Sequence, residues 1–162
     1  MKEHVAISLL DWLRTGCFGP LRFGQTRAAV ALCLGPPDDV GGTSRKYRRP
    51  TIWRYGAFEL YFSPGGDALR GILADTSTIP HGGPHLQIDP WQLRHGIAQQ
   101  TIEEALTSAG IAYRHAVPLH LTDTTQITTA AGVWLNFEAE AVHTDETGGL
   151  YAMGRSAHTT AT

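Results

Sequence analysis

A constant shift of 75 residues brings Thr26 onto Thr101, Gly35 onto Gly110, Leu60 onto Leu135 and Phe62 onto Phe137 without a gap. The same shift lays "TRAAVALCLG" on "TIEEALTSAG", and "TIWRYGAFELYF" on "QITTAAGVWLNF". Helix cap, terminating glycine and strand alternation thus agree in one register. No other feature constrains the fold as tightly. A single helix-and-sheet unit of this size can cover only one face of its sheet, so two copies should share one.

The elements follow from local signals. In "HVAISLLDWLRTG", Val5, Leu9, Trp12 and Leu13 fall at helical spacing, and Gly16 supplies a left-handed cap. Thr26 caps a second helix with the stripe Ala29, Val30, Cys33 and Leu34. Gly35 ends that helix and Pro36-Pro37 forbid its continuation. "WQLRHG", Trp91 to Gly96, resembles the ending of the first helix, and "GGLYAMGRS" matches the strand "LRGILAD", Leu69 to Asp75. The expected class is α+β: a tandem repeat of helix-helix-antiparallel meander, one shared sheet, helices on one face. The units are 1–75 and 90–156, with a Gly- and Pro-rich linker at 76–89 and a disordered tail at 157–162.

The strand faces can be read from the turns. With Gly56-Ala57 as a two-residue turn, Tyr55 opposes Phe58, Trp53 opposes Leu60 and Thr51 opposes Phe62. These large apolar residues should be core. The other face pairs Arg54 with Glu59 and Ile52 with Tyr61, and opposite charges across the turn support that register. In the second half, an Ala131-Gly132 turn sends Ala130, Thr128, Val133, Leu135 and Phe137 inward. It leaves Ile127, Thr129, Trp134 and Asn136 outside. The outer face therefore offers Ile52, Arg54, Glu59, Tyr61, Ile127, Trp134 and Asn136 as candidate partner-binding residues. Trp, Tyr and Arg are the side chains that anchor interfaces. Either the chain's own linker or tail covers this face, or a protein partner does, a homodimer included.

Composition narrows the function classes. At 162 residues, 42% of them apolar and 17% charged, the chain is an ordinary globular sequence. A formal charge of -2 gives no reason to expect nucleic acid or an anionic membrane. The local exception is "RKYRR", Arg45 to Arg49, read as a solvated loop or as a basic contact for an acidic partner. Cys17 and Cys33 belong to no Cys-x-x-Cys pair and read as reduced thiols, with a single disulfide as the alternative. The apolar run Val5 to Leu10 is short for an export signal and nothing approaches a membrane-spanning length, so a cytoplasmic protein is expected.

Catalytic patterns are sparse. Of eight histidines, seven follow residue 80, including His81, His85, His95, His115, His120 and His143. Their spacing is scattered and one pair sits in a Gly-Gly-Pro segment, which is a poor match to zinc sites. There is no Gly-x-Ser-x-Gly elbow, and no glycine-rich turn opens a helix after a strand. No cofactor, metal or catalytic residue is assigned. The expected function is a non-enzymatic protein-binding module; a small enzyme or metal-binding protein using the histidine-rich second half is the alternative.

The stretch "GQTRAAVALCLGPP" resembles the G-x-(S/T)-x-x-x-V-x-x-x-L-G-x-P helix of the BamE/SmpA-like superfamily. The tandem arrangement is similar to the β-lactamase-inhibitory-protein fold. "GPPDDVGG", "IWRYGAFELYF" and "GIAYR" also resemble an uncharacterised family of small bacterial proteins. The resemblance implies a binding surface on an open sheet, with an inhibitor or immunity-type protein as one form. The export signal and lipobox of the outer-membrane assembly members are not recognised here, so that role is not expected.

Overall fold

A computed structural model describes residues 3–76, 80–118, 123–138 and 149–157. Among them the chain is mostly β. In order the elements are β1 (Val5–Ser8), α1 (Leu9–Thr15), α2 (Arg27–Leu34), β2 (Asp39–Gly41), β3 (Ile52–Tyr55), β4 (Phe58–Phe62) and β5 (Leu69–Asp75). There follow β6 (Leu86–Asp89), α3 (Gln99–Ser108), β7 (Tyr113–Ala116), β8 (Thr124–Thr129), β9 (Trp134–Glu138) and β10 (Leu150–Ser156). Eight strands form one antiparallel sheet in the order β2-β3-β4-β5-β10-β9-β8-β7, and β1 pairs parallel with β6.

This corrects the expected α+β repeat of two helix-helix-meander units with helices on one face. Ten strands and three short helices are described, and the second half carries one helix rather than two. The expected helix at Trp91–Gly96 is a pair of turns, closed by Leu93 N–H to Pro90 O and Ile97 N–H to Arg94 O. Pro90 disfavours a helical Asp89 before it, and Trp91 itself has φ 54°. The remaining residues before Gly96 are too few to nucleate a helix. Gly96 is instead held by Leu150, which accepts its N–H at 2.9 Å.

The first helix is likewise shorter than expected. Val5 and Ile7 alternate in a strand, and Ser8 begins the helix by accepting the Asp11 N–H at 3.2 Å. The strand partner, β6, lies inside the segment read as a linker. Ala157, read as part of the tail, donates its N–H to Arg70 O at 2.8 Å. The rest of that segment lies outside the described residues.

Glycine stops behave as their positions demand. Thr26 Oγ1 accepts the Ala29 N–H, and Gly35 follows α2 with φ 82°. Gly110 follows α3 with φ 71°. Both are left-handed positions, where a Cβ is costly.

The core gathers the inner faces of both halves of the sheet. Tyr55, Phe58, Leu60, Phe62, Val133, Leu135 and Phe137 are buried in one cluster with Trp12 of α1, Val30 of α2 and Ile102 of α3. Trp12 meets Phe58 edge-on with ring centroids 6.4 Å apart. Trp53 faces the same way but is only half-buried. It lies one strand from the sheet's end, against Val40 of β2, which is half exposed.

Candidate binding surface

Side chains on one face of an antiparallel sheet are set by the cross-strand pairs. Pairing carries a single row across all eight strands on the face away from the core: Asp39, Arg54, Glu59, Leu73, Gly154, Trp134, Thr128 and Arg114. A parallel row runs Gly41, Ile52, Tyr61, Gly71 and Ser156. The expected pairs Arg54 with Glu59 and Ile52 with Tyr61 are both present.

The first half of this face is a satisfied polar network. Arg54 Nη2 donates to Glu59 Oε1 at 2.9 Å, and Nη1 lies 3.6 Å from Asp39 Oδ2. Tyr61 donates its hydroxyl to Glu59 Oε2 at 2.6 Å. The hydrogen bond to Glu59 raises the Arg54 pKa. Burial, followed by the bond to Glu59, pushes the Tyr61 phenol up to about 12. Beside this network Ile52, Tyr61 and Leu73 are half-buried.

The second half departs from expectation along the end of β8, where Ile127, Thr128 and Thr129 each face the opposite way and Ala130 is exposed in the turn. Ile127, expected outside, is 0% exposed and sits opposite Leu135 on the core face. The cause is the turn. Thr129 opposes Val133, with Gly132 N–H on Thr129 O and Thr129 N–H on Val133 O, so the loop has three residues, Ala130 to Gly132. Gly132 takes φ 89°, as the last residue of such a loop requires. One residue more in the loop turns every β8 side chain over. Thr129 therefore faces in and Thr128 faces out.

Asn136 does lie on the outer face, but it is only 7% exposed and accepts the Gln126 amide N–H at 2.7 Å. Trp134 is half-buried on the same face, with its indole lying over Gly154. Leu73, Gln126 and Arg114 also belong to this face and were missed, and Thr128, expected inward, lies on it as well. Their only signal was strand alternation, which places a residue once its neighbour strand is known.

The chemistry-bearing residues elsewhere are dispersed. His85 Nε2 lies 3.9 Å from Asp38 Oδ1, and Asp38 Oδ2 accepts the Gly56 N–H at 2.7 Å, closing the β3–β4 turn. His115 of β7 pairs with Glu103 of α3. Among the described residues no three of His, Cys, Asp or Glu come together to hold a metal. His120 and His143 lie outside them. Cys17 and Cys33 are both free thiols. Cys17 lines an open groove of about 780 Å³ beside Asp11, Thr15 and Asp89, with no histidine among the described residues of its lining to act as a base. No described helix is long and apolar enough to cross a membrane.

Comparison with protein-family models, with curated proteins and with solved structures found no match to the chain.

Proposed function

We propose that the protein is a non-enzymatic, cytoplasmic binding module that takes a protein partner on the outer face of the eight-stranded sheet. One observation carries the reading. Ile52, Tyr61, Leu73 and Trp134, from four different strands, stand half-exposed on one face next to the exposed guanidinium of Arg54. Aromatic and aliphatic side chains beside an arginine are what desolvated interface centres are made of. Ile127 and Asn136 are not part of that patch, because both are buried. Free thiols at Cys17 and Cys33 support a reducing compartment. An inhibitor or immunity-type protein is the form of binding implied by the sequence resemblance.

The test is co-purification from the native cell. One protein should accompany the tagged chain at fixed stoichiometry. Ile52→Lys, on the patch, should remove it, whereas Leu32→Lys should not, since Leu32 is an exposed position of α2. A dimer in sedimentation that Ile52→Lys dissociates would identify the partner as a second copy. No companion and no dimer, or equal recovery by both variants, would overturn the proposal.

A further inference from the structure

The five-residue basic stretch between β2 and β3 forms one wall of a cavity of about 280 Å³. Arg27, Arg45, Lys46, Tyr47, Arg48 and Arg49 line it together with Gly65 and Gly66 of the β4–β5 turn. The chain as a whole carries a formal charge of -2, so five cations around one small cavity are a local concentration.

Two of the five are accounted for by the fold. Arg27 is buried, donating from Nε and Nη2 to Pro50 O and from Nη1 to Gly66 O and Asp67 Oδ1. Its guanidinium also lies 4.6 Å from the Phe62 ring centre. Arg49 Nη2 reaches the same Asp67 oxygen at 3.0 Å. Arg45 and Arg48 have no ion pair or hydrogen bond among the described residues. Lys46 has only the Tyr47 ring, 5.3 Å from its Nζ.

Both ends of the basic stretch are anchored. Ser44 and Tyr47 close a turn, with Ser44 N–H on Tyr47 O and Tyr47 N–H on Ser44 Oγ. The Tyr47 ring lies against Gly65 so closely that a Cβ there would come within 2.9 Å of it. Arg27 ties Pro50 to the β4–β5 turn, as described. A wall held at Tyr47, Arg49 and Pro50 keeps like charges together that a free loop would let separate. Arg27 commits four of its five N–H donors to the protein, so it contributes mainly field, whereas Arg45, Lys46 and Arg48 have donors to spare.

We infer that this cavity is an anion site for a phosphoryl group carrying two or more negative charges, the diphosphate of a small molecule or a phosphorylated side chain. Guanidinium forks match phosphoryl oxygens two at a time, and a compact ammonium adds a point charge. The site is separate from the outer sheet patch and does not depend on it.

The test is titration of the full chain with inorganic diphosphate at constant ionic strength, read by calorimetry and by the melting temperature. Binding should saturate. The Arg45→Ala, Arg48→Ala double variant should weaken it on the order of tenfold or more while melting like the parent, because neither side chain is bonded in the fold. Arg94→Ala, an exposed arginine elsewhere, should bind as the parent does. A phosphoserine peptide that binds more tightly than diphosphate, with its unmodified form silent, would assign the ligand to a protein. Binding of diphosphate alone would assign it to a small molecule. No saturable binding, equal binding by the double variant, or citrate binding as well as diphosphate would overturn the assignment.

Discussion

The indole of Trp134 lies over the backbone of Gly154, its directly opposed residue on β10, so that a Cβ at Gly154 would stand 2.5 Å from Cζ2. The pair makes Trp134 both a cover for the sheet and a candidate contact. Trp134→Ala should therefore lower stability by about 1 kcal/mol, the scale of an aromatic cross-strand contact. Gly154→Ala should cost more, about 1–3 kcal/mol, because the methyl group has no room. Denaturation of the two single variants and the double should show part of the Gly154→Ala cost relieved once the indole is gone. A cost unchanged in the double variant would mean that the ring is not the obstacle.

A second glycine is constrained from outside its own hairpin. Gly56 has φ 59°, and a Cβ there would run into His81 O and Gly83 N. Gly110 has φ 71° but nothing within 4 Å of an added Cβ. Gly110→Ala should show backbone strain alone, about 1 kcal/mol, whereas Gly56→Ala should cost about 3 kcal/mol from strain and displaced chain together. Equal melting shifts for the two would count against the packing of residues 81–83 on the turn.

Acid should act through Asp67. Hydrogen bonds from the Arg27 side chain, then from its backbone N–H, hold this carboxyl below its ordinary value. A depressed folded-state pKa gives stability that is complete above the unfolded value and lost as pH falls toward the folded one. The parent should thus lose stability as pH drops below the usual aspartate range. Asp67→Asn should start lower and show a flatter acid limb. Parallel limbs in urea titrations would remove Asp67 as the cause.

Alkali should act through Tyr61. Its phenol is raised to about 12 by burial and by the bond to Glu59, so the folded state holds the proton more tightly than the unfolded chain. The contribution is complete below the ordinary tyrosine value of 10.0 and declines as pH rises toward about 12. Burial raises the Tyr55 phenol too, so tyrosinate absorbance should show more than one late-titrating phenol, and the one near 12 should be missing in Tyr61→Phe. An unchanged titration curve in that variant would refute the environment described for this side chain.

The contrast between the two hairpins shows what local sequence can reveal. At Gly56-Ala57 the charges of Arg54 and Glu59 and the aromatics around them allow one register, and that register is present. At Ala130 to Gly132, two alanines leave a two- and a three-residue loop equally acceptable. Thr128 and Thr129 suit either face, so Ile127 was turned the wrong way. Val5 and Ile7 failed for a related reason: four residues satisfy both periods, and the strand exists only because β6 lies beside it. Long-range pairing of that kind leaves no trace in a short window. Of the candidate patch, Ile52, Arg54, Glu59, Tyr61 and Trp134 were placed on the correct face by alternation. Leu73 needed the neighbouring strand.

In the eight-stranded sheet, β5 and β9 are joined through β10, which comes after the other described strands. During synthesis the two halves of the sheet can each zip up, β2 with β3, β4 and β5, and β7 with β8 and β9, while remaining strangers to one another. Until β10 emerges, each half carries a raw margin of unsatisfied backbone amides, the kind of margin on which chains clump. The sheet is thus completed from its rims inward, and its keystone is made after both of the halves that it joins.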